Sequence, residues 1–152
     1  MGLEKDIHQK KFRNEYQKAA INLLYTVGWL KDRMKSIFDE EDITPQQFNI
    51  LRILRGSFPQ PISTQIIRER MLEKMSDVSR IVDRLVVKGL VKKVTNPEDR
   101  RLVDVLITEK GRKLLERLDR KQEDMDTILK GLTEKEAAQL NQLLDKLRQG
   151  RE

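Results

Sequence analysis

The sequence predicts a mainly α-helical fold with one small β-hairpin. Three observations carry that prediction. Apolar residues recur at steps of three and four along most of the 152 residues, which is the helical period. A single stretch, 90–107, is rich in β-branched residues and turns about a proline. Charged residues make up 37% of the chain and apolar ones 38%, so the apolar side chains have to be gathered into stripes on otherwise solvated elements.

The first predicted helix covers 5–38, which holds no proline. Phe12, Tyr16, Ala20, Leu23, Val27, Leu30, Met34 and Ile37 follow one another at three or four residues, close to a heptad seam. A small domain cannot cover a helix of that length, so it should pack along another long helix or a second subunit. The next helix opens with Thr44 as N-cap, Pro45 at the first helical position and Gln47 closing a capping box. It ends near Gly56. After the loop "SFPQP", Ser63 is placed to cap a third helix, with Ile62 and Ile67 flanking the cap as a hydrophobic staple.

A fourth helix is expected at about 76–88, capped by Ser76 and stopped by Gly89. Val78, Ile81, Val82 and Leu85 share one face; Ser76, Ser79, Arg80, Asp83, Arg84 and Val87 share the other. "LVKKVT" and "RLVDVLI" flank the turn "NPED" and read as an antiparallel hairpin, with Pro97 in the turn. Thr108 caps a helix running to about Lys130, with Leu114, Leu118, Met125, Ile128 and Leu129 as its apolar positions. Thr133 and Glu136 form a capping box ahead of a last helix, whose stripe is Ala137, Leu140, Leu144 and Leu147.

Two short helices joined by a tight turn and followed by a hairpin make a winged helix-turn-helix. The predicted organisation is therefore a winged helix-turn-helix DNA-binding region at 44–107, with its recognition helix at about 76–88 and its wing at about 90–107. Residues 1–43 and 108–152 are expected to frame it as a helical dimerisation region.

Charge supports an anionic partner. The formal net charge is +6, and residues 44–107 hold 12 Lys and Arg against 7 Asp and Glu, while the rest of the chain is nearly balanced at 19 against 18. Several functions are excluded. There is no cysteine, hence no disulfide, thiolate metal site, thiol switch or cysteine nucleophile. The single histidine, His8, has no partner of metal-ligating type nearby, so no metal is expected. No glycine-rich phosphate loop and no nucleophile with a base occurs; no catalytic residue, no cofactor and no enzymatic activity are predicted. No apolar run approaches the ~20 residues of a membrane span. The N-terminus lacks the apolar core of a signal peptide, and Asp6 breaks the myristoylation pattern after Met1-Gly2, so a cytoplasmic protein without membrane contact is expected.

In a helix-turn-helix the second helix enters the major groove by its N-terminal part. Ser76 and Ser79 are small enough to let backbone approach DNA. Arg80 faces outward one turn in and suits bidentate contact with guanine, and Arg84 follows one turn on. Lys74 and Lys88 are placed to add phosphate contacts. A hairpin tip is narrow enough to carry arginine into a minor groove, where narrow A-tract grooves concentrate negative potential. Arg100 and Arg101 sit at that tip. Asp99 beside them is placed to orient one guanidinium while Arg101 reaches out.

"SDVSRIVDRLVVKGLVKK" followed by "PEDRRLVDVLITEKG" resembles the multiple-antibiotic-resistance regulator (MarR) family. The resemblance covers nearly the whole chain and is strongest over 76–111. It implies a homodimeric bacterial transcription regulator, usually a repressor, on a palindromic operator in double-stranded DNA. It places Ser76, Ser79, Arg80 and Arg84 in the major groove, Asp99 as the brace of the wing and Arg101 in the minor groove. It implies a dimer interface built from the first and last two helices. It also implies a small, often phenolic, anion bound between the dimerisation and DNA-binding regions that releases DNA. The chain departs from the peroxide-sensing branch in having no cysteine, from the zinc-sensing branch in lacking its histidines, and from the more typical pattern in "SFPQPISTQIIRERM".

Two matters stay open in the sequence. Tyr25, Trp29 and Arg33 lie at four-residue spacing on the first helix, where they either hold an aromatic or anionic effector or simply pack against neighbouring helices. A winged helix can also serve as a protein-interaction module without specific DNA binding, although that role needs no basic wing tip.

Overall fold

The computed structural model describes residues 2–150. Met1, Arg151 and Glu152, the outer ends of the two predicted flanking segments, lie outside the described residues. The elements are α1 (Leu3–Asp6), α2 (Glu15–Asp39), α3 (Pro45–Ser57), β1 (Ile62–Ser63), α4 (Thr64–Arg70), α5 (Val78–Val87), β2 (Val91–Thr95), β3 (Val103–Ile107), α6 (Glu109–Asp119), α7 (Gln122–Ile128) and α8 (Glu134–Gln149). This is the mainly helical fold with a small hairpin that the periodicity predicts, arranged as a winged helix-turn-helix between framing helices.

Local chemistry sets most boundaries as expected. Both capping boxes form, Thr44 with Gln47 and Thr133 with Glu136. Ser63 caps α4 by accepting from the Ile66 amide at 3.2 Å. Gly89 sits at φ +74, and the Gly89 and Leu90 amides donate to Val86 and Leu85 carbonyls at 2.9 and 3.0 Å. That is a Schellman ending, which needs the left-handed conformation glycine adopts without strain.

Four expectations are corrected. The predicted helix 5–38 starts only at Glu15, because Asn14 is extended and its side chain accepts from the Gln17 amide at 2.9 Å. The chain ahead of it turns at His8 (φ 56) and leaves α1 separate. The cap of α5 is Asp77, not Ser76: its carboxylate accepts from the Arg80 amide at 3.2 Å. An ionised acceptor at the positive end of a helix outcompetes a neighbouring hydroxyl. The predicted helix 108–130 breaks at Arg120 and Lys121, where the Lys121 amide bonds Leu118 at 2.9 Å, three residues back. The break lets α6 pack on α3 while α7 turns to pack on α2. Finally, Ile62 and Ser63 form a strand as well as a cap.

The three strands are ordered β1-β3-β2, all antiparallel, with Ile62 opposite Val105 and the wing running in register from Val91 opposite Ile107 to Thr95 opposite Val103. One core lies between α3, α4, α5, α6 and the sheet. Ile50, Leu51, Leu54, Ile67, Val82, Leu85, Val105 and Leu115 are fully buried in it. Burying each such side chain is worth roughly 1.5–3 kcal/mol. α2 adds Phe38 fully, with Met34 and Ile37 packed half-buried beside it, and α7 and α8 contribute no fully buried residue. Ion pairs join α6 and α7 to the rest. Arg117 grips Glu41 with two guanidinium nitrogens at 3.0–3.2 Å, Arg55 holds Asp119 at 2.7 Å, and Lys121 meets Glu40. The Arg117 hydrogen bonds hold the Glu41 carboxyl below its ordinary range.

The wing tip is tied from inside. Asp104 is buried in the central strand, and Asn96 donates its amide group to both carboxylate oxygens at 3.2 and 3.4 Å. The Asn96 oxygen accepts from the Glu98 and Asp99 amides at 2.9 and 3.1 Å, closing the turn.

Two glycines should respond oppositely to alanine. A Cβ on Gly111 would stand 2.3 Å from the Leu90 carbonyl oxygen, backbone that cannot give way, whereas one on Gly56 meets nothing within 4 Å. Gly111→Ala should lower stability in urea unfolding by roughly 3 kcal/mol, the upper end of what overpacking costs. Gly56→Ala should raise it by roughly 0.5–1 kcal/mol. Asn96→Ala should cost roughly 1–3 kcal/mol by leaving the Asp104 carboxylate without its donor. Amide exchange at Glu98 and Asp99 should then quicken while exchange in α3 stays slow.

Candidate nucleic-acid interface

Val78, Val82 and Leu85 bury one face of α5 almost completely. The opposite face is thereby fixed outward. It carries Ser79, Arg80, Asp83, Arg84 and Val87, all exposed, with Val87 88% accessible. Arg80 and Arg84 form no ion pair among the described residues, so both guanidinium groups are free. Ser76 sits in the turn ahead of the helix with its hydroxyl shielded and unpartnered.

The two lysines are engaged. Lys74 donates to the Glu69 carbonyl oxygen, so its ammonium is turned back toward α4. Lys88 donates to the Asp42 carbonyl oxygen and, at 3.2 Å, to Gln47. It ties the end of α5 to the start of α3 and is not a free cation.

At the wing tip Asp99 binds Arg101 itself. One carboxylate oxygen accepts from the Arg101 backbone amide at 3.0 Å and from Nε at 3.1 Å, and the other accepts from Nη2 at 3.2 Å. These bonds hold the Asp99 carboxyl below its ordinary range, the side-chain contact contributing most. The brace and the reaching arginine are thus one unit, and the Arg101 side chain is still 90% exposed. Arg100 is exposed and forms no ion pair among the described residues.

Two clefts flank α5. One, of about 270 Å³, is lined by Ser63, Thr64 and Gln65 from the start of α4, Ser79 from α5, and Lys93 and Arg101 from the wing. The other, of about 430 Å³, lies toward α3 and includes Thr44, Ser76, Arg80 and Arg84. The α4 contribution escaped the sequence reading, because Thr64 and Gln65 carry no charge and belong to no recognisable spacing.

Of the three residues considered for an effector, Trp29 and Arg33 are brought together and Tyr25 is not with them. The Arg33 guanidinium lies 5.4 Å from the Trp29 ring centroid, and both line a groove with Asp32, Glu40 and Asp124. Tyr25, 42% accessible, lies outside that groove. A second groove of about 510 Å³ runs between α2, α3, α6 and α7. It is lined by Leu30, Met34, Phe48, Met125 and Leu129 with Arg52 and Arg55. Arg52 stacks on Phe48, 5.8 Å from its centroid. No helix among the described residues is long and apolar enough to cross a membrane.

Comparison with known proteins agrees with this architecture. A family model described as MarR family matches residues 41–102. The chain is 30% identical over 140 residues to the HTH-type transcriptional repressor IacR of Pseudomonas putida, covering 89% of this chain and 80% of that protein. It is 32% identical over 124 residues to the HTH-type transcriptional repressor MdtR of Bacillus subtilis, covering 81% and 79%. Among solved structures, a cysteine-to-serine mutant of MarR from E. coli complexed with operator DNA superposes with a TM-score of 0.80 at 26% identity, over 91% of this chain and 99% of that one. The family comprises transcription regulators and not enzymes. With the helix order, the wing and relatives at 30% identity or more over most of their length, the chain belongs to the MarR family of DNA-binding transcription regulators.

Proposed function

We propose that the protein is a homodimeric repressor that reads a palindromic operator with α5 in the major groove and Arg101 in the minor groove, and that a small aromatic or anionic effector releases it. The observation that carries the reading is the placement of free cations. Arg80 and Arg84 stand unpaired on the outward face of α5, and Arg101, held by Asp99, projects from the wing into the same exposed surface. Exposed ion pairs and solvated arginines add little to stability, so a protein partnered only with itself gains nothing from this arrangement. Ser76 and Ser79 admit the backbone to the duplex. Lys74 and Arg100 are placed for phosphate contact once Lys74 exchanges its carbonyl partner for phosphate.

Residues 44–107 then form the DNA-binding region, and 1–43 with 108–152 the dimerisation region. Tyr16, Leu24 and Val27 on α2, and Leu140, Leu143 and Leu147 on α8, remain open to solvent in one chain. A second copy is the occupant that fits, because a dimer sets two reading helices about one DNA turn apart, ~34–36 Å. The effector fits the groove bearing Arg52 better than the one bearing Trp29 and Arg33. In the first groove Arg52 and Arg55 face Asp119, which Arg55 already holds, and Asp126, between apolar walls, whereas in the Trp29 groove Arg33 alone faces three carboxylates that repel an anion.

Light scattering at micromolar concentration should give about twice the chain mass, and a clean monomer would remove the architecture. An operator selected from random duplexes, with a scrambled control, tests the reading residues at two salt concentrations. Arg101→Ala should weaken binding to both duplexes. Arg80→Ala should cut the operator preference roughly 5- to 150-fold, because a bidentate base contact discriminates by about 1–3 kcal/mol while a phosphate contact only positions. Asp99→Ala should weaken binding less than Arg101→Ala, since it loosens only the aim of the wing. If Arg101→Ala binds both duplexes like the parent, the wing is structural and a protein partner becomes the better explanation.

A further inference from the structure

The outward face of α5 carries one acidic residue, Asp83, between Arg80 and Arg84. A carboxylate there opposes the approach of any polyanion. Its Oδ1 lies 2.5 Å from Nζ of Lys93 on β2, and the two side chains are 60% and 48% exposed. Asp83, Lys93, Ser79 and Arg101 all line the cleft between α5 and the wing. An exposed pair of this kind adds little to the fold, so stability does not account for an acid on this face.

We propose that Asp83 is a specificity-determining residue: paired with Lys93, it suppresses binding to unrelated duplexes more than binding to the operator. The inference rests on the DNA-binding reading above. Non-specific affinity comes almost wholly from cations that displace counterions from phosphates. While Asp83 holds Lys93, that lysine is withdrawn from the phosphate count on every sequence. At the operator the helix seats deeply enough for Asp83 to meet base edges. A carboxylate only accepts hydrogen bonds, so it favours the amino groups of cytosine N4 or adenine N6 and is repelled by guanine O6 and N7 or thymine O4. An amino group that takes over the carboxylate releases Lys93 to a phosphate. The correct sequence therefore regains the cation that a wrong sequence leaves tied up.

The test uses the full-length protein with the selected operator and a scrambled duplex, titrated across a salt series. Asp83→Asn should tighten binding to the scrambled duplex by about 8-fold per reading head at 0.1 M salt. The slope of log K against log salt should steepen by about 0.9 per freed lysine. Operator affinity should change less, so the preference for the operator should fall. Adding Lys93→Met to Asp83→Asn should abolish the gain on the scrambled duplex and leave the operator complex weaker than the parent's. Asp83→Glu, which keeps the acceptor, should retain most of the preference. If Asp83→Asn changes both affinities equally with no change of slope, the pair is only a brace between α5 and the wing and the proposal is overturned. Parent protein that shows no salt-dependent binding to either duplex would instead overturn the DNA-binding reading itself. Circular dichroism and light scattering check that each variant keeps the parental fold and mass.

Discussion

The winged half of the molecule depends on the seating of α5. Val78, Val82 and Leu85, at positions i, i+4 and i+7, point into a core of α3, α4, α6 and strand residues and are almost wholly buried. That seat fixes the rotation of the helix. With it fixed, Ser79, Arg80, Asp83 and Arg84 have only one direction left to face. Asp77 sets where the helix begins and Gly89 where it ends, so the outward residues are fixed along the axis as well. Leu90 and Val91 follow that ending directly into the core, so the helix stop is also the anchor of the wing. The surface chemistry is therefore a consequence of burial underneath it, and a cavity under Val82 or Leu85 would misplace every outward group together.

The framing helices obey a different balance. α2 runs for 25 residues but buries only Phe38 completely, at its C-terminal end. Met34 and Ile37 pack there against the winged core, while Leu24 and Tyr16, about three and five turns before Met34, lie open. One apolar stripe is thus divided: its last turns hold α2 to the winged core, and its first turns lie open to solvent. Ion pairs add to that packing. Glu40 and Glu41, just past the end of α2, reach Lys121 and Arg117, and Lys31 reaches Glu73, which Gln46 also holds at 3.1 Å.

Much of this was legible in the sequence, for identifiable reasons. Capping boxes, the glycine stop and the β-branched hairpin each leave a local signature, and the inward face of α5 follows from its period. The failures share a cause: a competing local interaction that the period does not report. Phe12 continued the apolar spacing although Asn14 had already ended the segment as a cap. The apolar series from Leu114 to Leu129 bridged Lys121 by the seven-residue step from Leu118 to Met125, which is also helical, although α6 buries its leucines and α7 only half-buries Met125 and Ile128. Ser76 and Asp77 are both good caps by type, and the extra pull of the helix end on the ionised one leaves no mark on the period. β1 is two residues long, too short to show alternation. The Asn96–Asp104 pair was invisible, since nothing in "TNPEDRRLVD" distinguishes a buried aspartate from an exposed one.

The cations illustrate how far charge counting reaches. The excess in 44–107 points to an anionic partner, but the structure sorts equal charges into unequal roles. Lys88 is spent on the Asp42 carbonyl and Gln47, Arg55 on Asp119, and Lys93 on Asp83. Arg80, Arg84 and Arg100 remain free. Arg101 is a third kind: bound through Nε and one terminal nitrogen, yet 90% exposed. An arginine gripped along one edge keeps its other terminal nitrogen available. It gives up less rotamer freedom on meeting a second acceptor, because the first has already fixed its direction. The aspartate beside the tip therefore subtracts a charge from the sum while fixing the direction of an arginine that stays exposed.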